Sequence, residues 1–171
     1  MMAQQYSEFQ ANFSDVNEET YRWLAYDGKL PKNLSPVEQL PTPLFPATGK
    51  IYDTERRLVV PLAIRDLSNP ESKTLNVWFL VATGSRFTTL SVKTIEAFMD
   101  VGAVKCDDRQ FYKFAIQYPN SKFACYVSKS EFEHVNILGM NVLGELNLSL
   151  TMNFVSDEFR LVKYHPDLFI N

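Results

Sequence analysis

From about Ile51 onward, apolar positions recur with a period of two, the spacing of strands with one buried face. In RLVVPLAIRD, Leu58, Val60, Leu62 and Ile64 share a face, and Pro61 points to an edge strand or a bulge. NVWFLV is apolar throughout and predicts a buried central strand. FTTL follows it after a short turn, and Ser91 is placed to cap a helix over VKTIEAFM, where Val92, Ile95, Phe98 and Met99 fall at helical spacing. FYKFAIQYPNSKFACYVSK predicts a hairpin turning at Tyr118-Pro119-Asn120-Ser121. HVNILG is a second apolar strand ending at a glycine, and MNVLGE a short helical piece. LNLSLTMNF alternates strictly, which predicts Leu146, Leu148, Leu150, Met152 and Phe154 facing inward, with EFRLVKY as partner strand. Many short strands with only a few helical turns predict an all-β barrel or sandwich.

Residues 1–48 read differently. Asp15-Val-Asn-Glu18 has the form of a capping box opening a short helix through Tyr21, Trp23 and Leu24. Ser35-Pro36-Val37-Glu38 repeats the signal with proline at the first helical position. Pro41, Pro43 and Pro46 then favour an extended, stiff connector. The expected organisation is an arm over 1–48, packed through Tyr21, Trp23 and Phe45 or covering a groove, and a main domain over 49–171.

Composition narrows the functional classes. The hydrophobic fraction is 46%, which sets the chain well apart from disordered sequences. Seventeen basic and twenty acidic residues leave a net charge of -3, and no Lys/Arg run is long enough for a phosphate-binding stripe, so no nucleic-acid partner is expected. Two cysteines, Cys106 and Cys125, read as free thiols, and two separated histidines, His134 and His165, give poor support for a metal site. No cofactor is implied. MMAQQYSEFQ lacks the charged and apolar regions of a signal peptide, and no apolar run approaches ~18 residues. The expectation is an intracellular protein, cytoplasmic or nuclear, without a membrane span; Asn12-Phe-Ser and Asn147-Leu-Ser then match the glycosylation pattern by chance.

Two segments carry the chemistry: FLVATGSRFTTLS and, forty-odd residues later, VNILGMNVLGELNLSL. Together, over roughly residues 51–163, they resemble the retropepsin-like aspartic peptidases, the family of retroviral and retrotransposon proteases. There an apolar strand delivers Asp-Thr-Gly-Ser or Asp-Thr-Gly-Ala, and a later Ile-Leu-Gly strand enters a short helix. Val77–Val81, Thr83, Gly84, Ser85 and Thr88–Leu90 match the first part; Ile137, Leu138, Gly139 and Met140 match the second. The resemblance implies a closed acid-protease barrel that works as a homodimer, each copy contributing half a site. Two carboxylates ~3 Å apart share a proton, one acting as general base on water and the other polarising the scissile carbonyl. It implies further that Thr83 bonds across the dimer axis, that Gly84 permits the tight loop, and that Ser85, Arg86, Ile137, Leu138 and Gly139 flank a bound peptide.

Ala82 occupies the position of that aspartate. A methyl group supplies neither base nor acid, Ser85 lacks a base, and Arg86 carries the wrong charge. Three origins are compatible with it: a deliberate Asp-to-Ala substitution, a naturally inactive relative, or a chance ATGS turn. Arg86 also departs from the family, which usually has a small residue or proline there. The family's glycine-rich flap is reduced to Gly102–Gln110, with one glycine, so the arm is a candidate for the covering role. Asp107 and Asp108, adjacent on an extended segment, point apart and make a poor catalytic pair. The tail offers Leu168, Phe169 and Ile170 for contact with a second copy. The expected function is an aspartic endopeptidase scaffold, inactive with Ala82 in place; the alternative is a pseudo-protease serving protein–protein interaction or dimerisation.

Overall fold

The computed structural model describes residues 16–26, 30–100, 102–105, 107 and 109–164. Nine strands follow in order: β1 (Ala47–Tyr52), β2 (Arg57–Asp66), β3 (Thr74–Val81), β4 (Thr88–Leu90), β5 (Tyr112–Ile116), β6 (Tyr118–Val127), β7 (Ile137–Leu138), β8 (Leu148–Asn153) and β9 (Glu158–Lys163). Among the described residues three short α-helices accompany them: α1 (Glu18–Leu24), α2 (Val92–Glu96) and α3 (Met140–Glu145). The strands form one sheet in the order β3-β7-β4-β6-β5-β2-β1-β9-β8, and β2 pairs back onto β3. That extra pairing closes six strands into a barrel, with β1, β9 and β8 as an extension. The all-β expectation holds.

Alternation along β2 and β3 explains why the barrel has two hydrophobic layers. Val60, Leu62 and Ile64 meet Val77, Phe79 and Val81 inside it. Val59, Trp78 and Leu80 point the other way, into a second cluster with Val16, Tyr21 and Leu24 from the arm. VWFLV, residues 77–81, is apolar throughout because both of its faces are covered. Burying each such side chain contributes about 1.5–3 kcal/mol.

The arm is fastened by hydrogen bonds as well as by packing. Tyr21 stacks on Trp78 with centroids 6.1 Å apart. The Trp78 indole N–H donates to the Pro31 carbonyl at 2.8 Å, and its main-chain N–H to Asn33 Oδ1 at 3.0 Å. Trp23 meets the main domain through the Tyr52 ring, 5.8 Å between centroids, but is 68% exposed, whereas Phe45 lies against the barrel core.

Several local expectations are corrected. The cap of α1 is Asn17, which accepts from the Glu19 and Thr20 N–H groups while Thr20 accepts from the Asn17 N–H; Asp15 lies outside the described residues. Ser35–Glu38 forms no helix. Pro36 bridges Leu75, Val37 N–H donates to the Thr74 carbonyl and Asn76 N–H to the Ser35 carbonyl, so pairing to the edge at the start of β3 that faces away from β2 outcompetes a single turn of helix. The proline connector bends, with cis bonds at Thr42-Pro43 and Phe45-Pro46. Pro61 is on a central strand, but it lies between the β1 register (57–59) and the β5 register (64–66), where no ladder needs its missing N–H. The hairpin of β5 and β6 reverses at Gln117 (φ 56°), and Tyr118, Pro119 and Asn120 belong to β6. Helix α2 ends at Glu96, short of Met99. Finally, Met152 and Phe154 are 45% and 58% exposed, because β8 is the edge strand and its inward face extends past the barrel.

Candidate functional site

The two segments that carry the resemblance meet at one end of the barrel. β7 lies between β3 and β4, parallel to the first (Leu80↔Ile137, Val81↔Leu138) and antiparallel to the second (Thr89↔Ile137). The chain leaving β3 must therefore cross the end of β7 to reach β4, and residues 82–87 make that crossing. Ala82 N–H donates to the Leu138 carbonyl at 3.1 Å, and Ser85 N–H to the Ala82 carbonyl at 3.0 Å. The Ser85 hydroxyl turns back to the Phe87 carbonyl at 2.8 Å.

Helix α3 locks the far side of the loop. Met140 and Asn141 N–H groups donate to the Ser85 and Arg86 carbonyls. Asn141 Oδ1 accepts from both the N–H and the hydroxyl of Thr88, at 2.9 and 2.8 Å, and its amide donates to the Ala124 carbonyl at 3.0 Å. Thr88 Oγ1 in turn accepts from Gly139 N–H at 3.0 Å. Gly139 is required sterically: a Cβ there would stand 2.4 Å from the main chain of Phe87.

The loop opens onto a groove of about 750 Å³. Ala82, Thr83, Gly84, Ser85 and Ile137 line it, together with Leu58, Leu80 and Phe132 as apolar wall and Glu55, Arg56, Arg57 and Lys129 as charged rim. Ala82 packs against the same cluster as Val16 and Phe132, so its methyl forms apolar floor. Thr83 and Gly84 are exposed. The Thr83 hydroxyl and the Gly84 N–H find no hydrogen-bond partner among the described residues. Arg86 points away from the groove lining and lies over the Phe87 ring, 4.9 Å from its centroid. Leu138 is fully buried in the barrel core and Gly139 packs under Phe87, so both support the loop from behind.

Carboxylates are scarce here. Among the described residues, Glu55 is the single one lining the groove, and it is exposed. Asp66 is buried, but it follows Arg65, which pairs with Thr74 at the opposite end of β3 from Ala82; Ser68 N–H and hydroxyl donate to it. A pair of carboxylates able to share a proton is absent among the described residues lining this groove.

No family model matches the chain, and no curated protein matches it. Among solved structures, a retropepsin-like aspartic protease from Rickettsia conorii aligns over 67% of this chain and 86% of that one, at 13% identity and a TM-score of 0.40. At that level the likeness speaks for neither activity nor substrate.

Sequence reasoning placed Ala82, Thr83, Gly84, Ser85 and Ile137 together, and they are together. It missed the groove wall and rim, Phe132, Arg57 and Lys129, which reach it from a 3-10 turn, from the start of β2 and from the end of β6. It also missed the loop locks. Asn136 and Asn141 were detectable as polar residues interrupting an apolar run, a pattern that marks buried hydrogen bonding. Of the remaining candidates, His134 is exposed beside Glu133 at 3.0 Å. Cys125 is buried, with its thiol pKa raised by desolvation. Cys106, Asp108, His165 and the tail residues Leu168, Phe169 and Ile170 lie outside the described residues. Among the described residues no helix is long and apolar enough to cross a membrane.

Proposed function

We propose that this chain is a catalytically silent retropepsin-like domain that acts by binding: it forms a homodimer about the Thr83–Gly84 loop and holds a peptide segment of a partner protein in the adjoining groove. One observation carries the reading. The loop keeps its whole supporting apparatus, from Gly139 beneath Phe87 to Asn141 beneath Thr88, while the position that would hold the acid is apolar floor. A loop held so firmly around a methyl group serves geometry. The exposed Thr83 hydroxyl, unpartnered among the described residues, is available to a second copy.

The test combines sedimentation with peptide cleavage between about pH 4 and 7, the range in which a carboxylate pair titrates. The chain is expected to sediment as a dimer, to weaken as a dimer on Thr83→Ala, and to cleave nothing. Ala82→Asp serves as the second arm, with a transition-state-mimicking inhibitor as control. A folded, dimeric and inert Ala82→Asp variant agrees with a binding role. Inhibitor-sensitive cleavage by that variant supports the other reading, a working endopeptidase scaffold with Ala82 as its off-switch. A chain that stays monomeric, with or without Thr83, sinks the dimer.

A further inference from the structure

A second cavity, of about 650 Å³, lies where the arm meets the barrel, and among the described residues it shares no lining with the groove beside Ala82. Helix α1, helix α2 and the segment before β7 line it. Tyr21 is part of that lining, with 1% of its surface exposed. Its hydroxyl is turned toward the main chain of Asn136, another lining residue, and has no hydrogen-bond partner. Burying a hydroxyl without a partner costs free energy, and a ligand that supplies the missing bond recovers it. Among the described residues the charged lining consists of Glu18, Glu19, Glu96 and Glu133 against Lys93 and His134. Lys93 is taken by Glu18. His134 faces Glu133 at 3.0 Å, so even when charged it offsets one carboxylate. Glu96 accepts from the Gly102 N–H, a neutral donor, at 3.0 Å, and Glu19 has no ion pair among the described residues. With both pairs counted as neutral, Glu19 and Glu96 remain.

We propose that this cavity binds a small organic cation, an alkyl ammonium or guanidinium, which donates an N–H to the Tyr21 hydroxyl and sets its charge beside Glu19 and Glu96. The site goes beyond the reading of the groove and does not depend on it. Its volume falls within the range of small-molecule sites. A tyrosine oxygen accepts as well as donates, and the carboxylates add charge-assisted bonds, so both groups meet the needs of one N–H-rich cation. A free amine or guanidine carries that chemistry, and so does a Lys or Arg side chain of a partner.

The test titrates the native chain with butylguanidinium, butylammonium, butanol and butyrate, which share one alkyl body, and follows the amide resonances. The two cations are expected to bind about tenfold tighter than butanol, with butyrate weakest, and to shift Ser91, Thr94 and Asn136, which line the cavity. The margin should shrink as salt is raised. Tyr21→Phe keeps the ring on Trp78 and should weaken both cations about fivefold without lowering the melting temperature. Glu19→Gln and Glu96→Gln should each weaken them, and Glu19→Asp should keep most of the affinity. N-acetylarginine amide then assigns the source: binding tighter than butylguanidinium supports a partner's side chain, and weaker binding supports a free small cation. Equal binding of the cations and butanol, or tighter binding of butyrate, would overturn the proposal. So would cation binding that Tyr21→Phe and Glu19→Gln both leave unchanged, or no binding of either cation to the folded chain.

Discussion

Asn136 donates its side-chain amide to the main-chain carbonyl of Trp78 at 3.1 Å, in the buried interior. Its Oδ1 accepts from Ser91 N–H at 2.9 Å, and its own carbonyl accepts from Leu80 N–H at 2.8 Å. One side chain therefore ties β3, the cap of α2 and the approach to β7 into the frame that carries the loop. Asn136→Ala strands a buried N–H and weakens a buried carbonyl. The expected cost is about 2–4 kcal/mol, read as a lower urea midpoint with unchanged slope.

Gly139→Ala tests the support beneath Phe87. The added methyl meets Phe87 main chain at 2.4 Å and the Thr88 nitrogen at 2.9 Å, and a backbone cannot rotate away as a side chain can. A loss of about 1–3 kcal/mol is expected, together with loss of the proposed dimer out of proportion to stability. Sedimentation at matched folded fraction separates the two effects.

Tyr21 separates packing from hydrogen bonding. Its hydroxyl is buried close to the Asn136 backbone without forming a hydrogen bond, and burial pushes its pKa up. Tyr21→Phe should be neutral or slightly stabilising, since it removes a buried polar atom with no bond to lose. Tyr21→Ala should cost about 3–5 kcal/mol by opening a cavity against Trp78. Thermal melts of the two variants beside the parent check this.

Glu18 on α1 is paired with Lys93 on α2, and the hydrogen bond from Lys93 is the main cause of its lowered pKa. A lowered carboxylate pKa contributes stability that is present above the unfolded value, near 4.5, and lost as pH falls through the folded one. Both side chains are largely exposed, so solvent screening holds the contribution to about 1 kcal/mol or less. Glu18→Gln should destabilise slightly at neutral pH and low salt, and the difference from the parent should vanish as pH falls through the lowered folded pKa.

Cys125 is fully buried, and desolvation holds its thiol well above the usual range. A Cys106→Ser variant, in which Cys125 is the one remaining cysteine, should show no thiol reactive toward a disulfide reagent in the native state at about pH 8. One thiol per chain should react in denaturant. Rapid native reaction would mean that β6 opens.

Strand positions were legible because burial imposes the period-two pattern, and the loop was legible because two short motifs had to meet. What stayed hidden was set by partners distant in sequence. Ser35–Glu38 carries a good local helix signal, but the edge at the start of β3 that faces away from β2 takes it as an extended bridge. Met152 and Phe154 keep the alternation of Leu148 and Leu150, yet nothing in the alternation states where the barrel ends. The charged rim is assembled from two places over seventy residues apart, Arg57 and Lys129, and neither is unusual in its own stretch.

The attachment of the arm to Trp78 gives the chain an internal optical gauge. Of its two tryptophans, Trp78 is fully buried, with α1 and the 31–33 segment covering it on the arm side, and Trp23 is largely exposed, its ring tilted against Tyr52. In a Trp23→Phe variant the emission maximum would report a single event, the lifting of the arm from β3. Displacement of the arm by a bound partner could then be followed without any attached label, as a red shift distinct from global unfolding.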